Sequence, residues 1–252
     1  MPELAKFKVY IPARYGSRRL PGKPLLKICG KPLIQHVYEN ALSSGAQEVV
    51  IATDDERIAE VAARFGALVV GTDSGHVSGT DRVAEAVAKR GEGDDTIIVN
   101  LQGDEPELPA AVIYQVAALI ETHRAADIAS ICEPIVEAAE IDDPNIVKVV
   151  RATDNRALYF SREPIPHGAT RSAEARAHYR RHVGIYAYRV SYLHRFVAAG
   201  PADLERIESL EQLRALANND IIVVADAIAE CGIGVDTRAD LDRLIERWNA
   251  TR

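Results

Sequence analysis

The sequence predicts an α/β fold, a doubly wound, mostly parallel sheet flanked by helices and followed by an antiparallel subregion. Three observations lead there. The short β-branched runs KVYI at 8–11, EVVIAT at 48–53 and TIIVNLQ at 96–102 are continuous rather than alternating, as expected of strands covered on both faces. Helical patterns separate them, at Pro32–Ser44, Asp55–Phe65 and Asp81–Lys89. Strand–helix–strand repetition then implies parallel pairing through right-handed crossovers.

Taken in order, Pro32 suits the first turn of the first helix, Gly45 its close, and Gly66 the end of the second. A further helix is expected to begin near Pro109. After about residue 125 the rhythm changes. DIASICEPI, NIVKVVRA, RALYFSR and HVGIYAYRV read as strands with little helix between them, which favours mixed or antiparallel pairing. Helix returns over Leu204–Asn218 and Arg238–Asn249, with strand IIVVAD between. With no repeat, low-complexity stretch or linker, residues 1–252 are expected to form a single domain.

The chain has 252 residues, 30 Lys+Arg against 37 Asp+Glu, a net charge of −7 and 47% hydrophobic residues. It has enough apolar material for a core, which excludes a disordered or fibrous chain. A pI near 5.6 argues against nucleic-acid binding through bulk positive charge. An acidic protein with an anionic ligand must gather its cations locally. No apolar run approaches the roughly 20 residues of a membrane span. MPELAKFKVYIPAR lacks a signal-peptide pattern, so a cytoplasmic protein without membrane contact is expected. Cys29, Cys132 and Cys231 show no CxxC spacing and read as small buried residues in a reducing compartment.

In doubly wound sheets ligands bind beyond the C-terminal strand ends, so function is expected just after Ile11, Thr53 and Leu101. The first of these loops is PARYGSRRLPGKP, with Arg14, Arg18, Arg19 and Lys23 among glycines and prolines. Glycines permit close backbone approach, and the cations can neutralise several phosphate oxygens at once. It is not a Walker A loop: five residues separate Gly16 from Gly22, and Pro24 replaces the magnesium-binding Ser/Thr. QGDEP follows the third strand, where Asp104 can hold a divalent cation with Glu105 in support, or can favour the N-terminus of a helix. In GVDT, Asp236 reads equally as a helix N-cap or a second metal carboxylate. Spacing leaves open whether Asp104 and Asp236 meet. His178 and His182 are four apart, but HVGIYAY reads as a strand and no HExxH pattern accompanies them, which speaks against zinc. In LERIESLEQLRAL, Leu204, Ile207, Leu210 and Leu213 suit burial, leaving Glu211 and Gln212 polar by default.

IPARYGSRRLPGKPL, ATDDERI, SGTDR, NLQGDEP, ALYFSR, RHVGIYAY, SLEQLR and GVDT follow in an order that closely resembles the 3-deoxy-D-manno-octulosonate (Kdo) cytidylyltransferases, or CMP-Kdo synthetases. The resemblance runs from about residue 7 to 248. It implies a Rossmann-like nucleotidyltransferase fold, a homodimer and Mg²⁺ dependence. It also implies transfer of CMP from CTP to Kdo, with release of pyrophosphate, for lipopolysaccharide synthesis. Residues 1–125 would mainly bind nucleotide, and 126–252 sugar and the partner subunit. By position, Arg14, Arg19 and Lys23 would grip the triphosphate, and Ser78 and Gly79 would line the cytosine pocket. Asp104 and Asp236 would hold Mg²⁺, and Gln102 would lie between nucleotide and sugar. Arg162, His182, Tyr186, Glu211 and Gln212 would form the sugar side.

The chemistry agrees with these residue types. Two anionic reactants need compensating cations, and positioning with charge stabilisation dominates phosphoryl-type transfers. No nucleophilic Cys or Ser is expected, and a metal-bound sugar hydroxyl would need no separate base. Arg18, Val77 and His167 depart from the pattern, the last at the sugar end, which keeps 8-amino-Kdo or a related acid sugar open. A metal-dependent glycosyltransferase would normally carry D-x-D, whereas 104–106 reads D-E-P. A non-catalytic CTP-binding regulator would need only the first loop.

Overall fold

The computed structural model describes residues 5–17, 19–168 and 176–250; Arg18 therefore lies outside the described residues. The nucleus is parallel: β1 (Phe7–Ala13), β4 (Glu48–Thr53), β5 (Leu68–Gly71) and β6 (Ile97–Leu101). Helices α1 (Leu33–Leu42), α2 (Glu56–Arg64) and α3 (Gly79–Arg90) connect them, and α4 (Ala110–Thr122) follows β6. A short hairpin, β2 (Lys27–Ile28) and β3 (Lys31–Pro32), turns through Cys29 and Gly30, both at positive φ. Along β1, Val9 and Ile11 face the core with Ile34, Val37, Val112 and Val116, while Tyr10 faces that with Val83, Val87 and Leu193. Both faces are covered, which explains continuous rather than alternating apolar runs.

The second half adds β7 (Ile128–Pro134), α5 (Ala138–Asp142), β8 (Lys148–Arg151), β9 (Ala157–Ser161) and β10 (Arg180–Arg189). Then come α6 (Val190–Ala199), α7 (Asp203–Glu208), α8 (Leu213–Ala217), β11 (Ile222–Asp226) and α9 (Arg238–Ala250). The main path of the sheet is β11-β7-β10-β6-β1-β4-β5, with β8 and β9 branching from β10. β10 runs antiparallel to both β6 and β7, and its register shifts between Val183 and Tyr186. That break lets one strand serve two partners at an angle. The mixed sheet is as expected. Among the described residues, no helix is long and apolar enough to cross a membrane.

Several expectations need correction. The helix expected over 204–218 is two short ones, because Ser209 takes a left-handed conformation and ends α7. Each piece then presents its own face: Leu210 and Leu213 are buried, but Ile207 is 78% exposed and Leu204 is also exposed. α6 and β5 were not expected. The first follows β10 directly without a breaker, and the second is only four residues long. Cys132 and Cys231 are buried as expected, whereas Cys29 is partly exposed at its hairpin turn.

Candidate active site

The loop after β1 has a fixed shape. Gly22, at φ 68°, donates its N–H to the Tyr15 carbonyl at 3.0 Å, and the Tyr15 ring lies close against its α-carbon. Arg57 stacks over that ring at 3.3 Å while pairing with Asp55, the N-cap of α2. A side chain at residue 22 would press on the ring and strain the backbone. The turn delivers Lys23 to the strand ends, where its Nζ lies 2.5 Å from Asp104 Oδ2 and 3.2 Å from Asp236 Oδ1. Arg19 reaches the other oxygen of Asp236 at 2.9 Å. The carboxylates that spacing left unrelated therefore share one ammonium. Burial alone would lower the Lys23 pKa, but the two carboxylates outweigh it and hold the group above its ordinary value.

Around this cluster opens a cavity of about 450 Å³, lined by Arg14, Lys23, Gly79, Gln102 and Asp104 among others. Arg14 is exposed and, among the described residues, has no carboxylate partner. Ser78 caps α3 by accepting the Asp81 N–H at 3.0 Å, so the helix N-terminus with Gly79 faces the cavity. Packing is tight at Gly79 and leaves no room for a side chain at Gly103. A Cβ on Gly79 would crowd Gln102 and Pro12 at 3.2 Å, and one on Gly103 would meet the Pro12 carbonyl at 2.9 Å. Gln102 donates to Asn100, which donates to Thr80, tying β6 to the start of α3.

A second cavity, of about 650 Å³, lies across Arg19 and Asp236, which line both. His182, Tyr186 and Gln212 border it, with Tyr186 donating to Gln212 at 3.2 Å. His182 contacts the Ser130 hydroxyl at 2.8 Å and packs edge-on against Phe160. Burial pushes its pKa down to about 3, so the ring is neutral. Burial likewise raises the Tyr186 phenol above its ordinary range. Glu105 also lines this cavity; burial first, then the charge of Asp104, pushes its carboxyl up to about 8.

Two sugar-side candidates sit elsewhere. Glu211 borders neither large cavity; it lies in a small gap with Thr80, Tyr186 and Tyr188. Burial raises its pKa, opposed by hydrogen bonds to Thr80 and Ser78. Arg162 points its guanidinium at the carbonyls of Glu208, Pro144 and Ser209 and lines neither cavity. It pins the loop beside the second cavity, with the buried Lys148, whose ammonium donates to the Asp143, Ile146 and Arg162 carbonyls. Sequence reasoning gave no role to Arg82, buried beside Asp54 and bordering the first cavity, or to Arg181, which pairs with Glu133 and borders the second. Arg82 stood in SGTDR, one turn beyond Gly79, and that was its only signal.

A cytidylyltransferase family model matches residues 9–222. The 3-deoxy-manno-octulosonate cytidylyltransferase of Thioalkalivibrio sulfidiphilus is 52% identical over 244 residues, spanning 94% of this chain and 97% of that protein. This chain belongs to the 3-deoxy-manno-octulosonate cytidylyltransferase family. It is accordingly a nucleotidyltransferase. The Cellvibrio japonicus member is 53% identical over 245 residues, covering 94% of this chain and 96% of its own. A solved CMP:2-keto-3-deoxy-manno-octonic acid synthetase, complexed with CTP, superposes with a TM-score of 0.90 at 44% identity, covering 98% of this chain and 100% of that one. A nucleotidyl transferase from Methanothermobacter thermautotroptrophicus, 17% identical with TM-score 0.61 over 98% of this chain and 99% of its own, shares the Rossmann-like fold.

Proposed function

We propose that this enzyme transfers CMP from CTP to the anomeric 2-hydroxyl of Kdo and releases pyrophosphate. The observation that carries the reading is the cluster of Lys23, Asp104 and Asp236 at the boundary of two cavities. The triphosphate belongs in the first. There Arg14, Arg19, Lys23 and the α3 N-terminus offset its charge, and Ser78, Gly79 and Gln102 flank the base and ribose. The acid sugar belongs in the second, against Gln212, Tyr186 and the neutral His182. Arg162 and Glu211 then shape the sugar side from outside, by pinning the loop and the start of α3.

The donor set fits magnesium. Two carboxylates reach one ammonium, leaving room for the substrate oxygens and waters that Mg²⁺ prefers to a full protein cage. Asp104 and Asp236 would hold it, and a bound metal would lower the pKa of the sugar hydroxyl and offset developing phosphate charge. This chain's residues hold the reactants in line and screen their mutual repulsion. No covalent enzyme intermediate is needed, and burial pushes the Cys132 and Cys231 thiols up to about 12, so neither is a thiolate at neutral pH.

We also infer a homodimer, supported by apolar side chains that stay exposed in the second half, Leu158 on β9 and Val136 among them. The reaction belongs in the cytoplasm, with the nucleotide pool, and supplies activated sugar for lipopolysaccharide. The test is pyrophosphate release with CTP, Mg²⁺ and a panel of acid sugars including Kdo and 8-amino-Kdo. Turnover highest with Kdo supports the reading, turnover with 8-amino-Kdo alone reassigns the sugar, and no turnover with any of them refutes it.

A further inference from the structure

Glu107 takes no part in the reaction as read above, yet its largely buried carboxylate gathers donors from two other segments. One oxygen accepts the indole N–H of Trp248 at 2.8 Å; the other pairs with Arg247 and accepts the Ile233 N–H at 3.4 Å. Trp248 also packs edge-on against His36 of α1, ring centroids 4.7 Å apart. Gly232 lies so close to Glu107 that any Cβ there would collide with it. The loop between these contacts carries Asp236. Its middle is tied to the metal side by the Val235 N–H on the Asp104 carbonyl at 2.8 Å. Its end runs into α9, where Asp240 accepts the Thr237 N–H at 2.8 Å. Asp236 is thus held between the Asp104 backbone and a helix whose far end is fastened to Glu107, three residues beyond Asp104.

We propose that Glu107 is a positioning residue that joins the 232–235 loop to the C-terminal helix and thereby sets where Asp236 stands relative to Asp104. The inference rests on the reading of those two aspartates as the metal carboxylates. A helix released from Glu107 could drift together with its N-terminal aspartate. Metal affinity would then suffer before nucleotide affinity does, because Arg14 and Lys23 belong to another loop. Groups that orient metal ligands in this way typically matter by about 10–100-fold.

The test uses the full chain with Glu107→Ala and Glu107→Gln, the latter keeping an acceptor for Trp248 but losing the charge that pairs Arg247. Calorimetric titration of Mg²⁺ into the CTP-bound protein reads affinity without turnover. Trp248, the only tryptophan in the sequence, reports its own docking by emission wavelength. We expect Glu107→Ala to weaken Mg²⁺ binding and lower kcat by about 10–100-fold, with the KM for CTP little changed and Trp248 emission shifted to the red. Glu107→Gln should show the same pattern to a lesser degree. Folded variants with parental Mg²⁺ affinity and kcat would overturn the proposal. Should Glu107→Ala not fold, Glu107→Gln and Trp248→Phe decide it by the same titration. A parent enzyme that releases no pyrophosphate would instead defeat the functional reading, and the Mg²⁺ titration would still judge Glu107.

Discussion

The two cavities that meet at Asp236 are both charged but differ in what else surrounds them. The cavity proposed for the nucleotide is assembled from loops at the ends of parallel strands, with Arg14 and Arg19 exposed to solvent. In the cavity proposed for the sugar, charged residues such as Arg181 and Asp240 are joined by two neutral groups of β10, His182 and Tyr186, held by hydrogen bonds to Ser130 and Gln212. On the proposed reading, the first region would act on its ligand chiefly by charge, which is strong and tolerant of geometry, and the second would add hydrogen bonds from neutral groups, which are weaker per contact and selective. Substitutions in the two regions should therefore fail differently.

The largest effect is expected at the proposed metal carboxylates. Asp104→Ala should lower kcat by about 10³-fold with the fold retained, since losing one strong transition-state electrostatic contact typically costs 10²–10³; pyrophosphate release and a melting curve check both parts. Next is Lys23→Met, which on the proposed reading removes a cation from the phosphates and leaves Asp104 and Asp236 without their shared ammonium. A fall of about 10²-fold in kcat/KM for CTP is expected in steady-state kinetics. Gln212→Ala marks the other region: the KM for the sugar should rise about tenfold while that for CTP holds, the size of one lost buried hydrogen bond. An equal rise in both constants would erase the distinction between the cavities.

The smallest effect is on stability and tests the neutrality of the sugar side. His182 has a folded pKa of about 3, below its ordinary 6.5. Above pH 6.5 both states carry a neutral ring; as pH falls toward 3 only the unfolded state takes the proton, so stability is lost on acidification. Between pH 7.5 and 5.5 this group should cost about 1 kcal/mol. Urea midpoints at the two pH values should converge in His182→Gln relative to the parent, and an unchanged gap would show the ring is already accessible to protons.

Legibility in the sequence followed the same division. The first loop and QGDEP could be read because chain-local chemistry makes them: a strand end, a turn glycine, clustered cations; SGTDR was legible only through the family resemblance. The parallel nucleus was readable for a similar reason, since burial on both faces leaves continuous apolar runs at 48–53 and 97–101. The sugar side depends on distant contacts. Gln212 reaches Tyr186 only because Ser209 breaks a helix that periodicity extends through residue 218, and a left-handed serine leaves no mark in an apolar pattern. Arg162 and Lys148 look like ordinary surface cations until the strands that turn them toward carbonyls are in place. Nor could spacing decide whether Asp104 and Asp236 meet, because 131 intervening residues pass through the sheet between them.

That meeting is tested most directly by a double-mutant cycle on turnover with Asp104→Asn, Asp236→Asn and the pair together. If both carboxylates serve one ion, the double variant should be about as slow as the worse single variant, because either change alone already disables the shared site. Losses that instead multiply across the pair would mean that the two residues act independently.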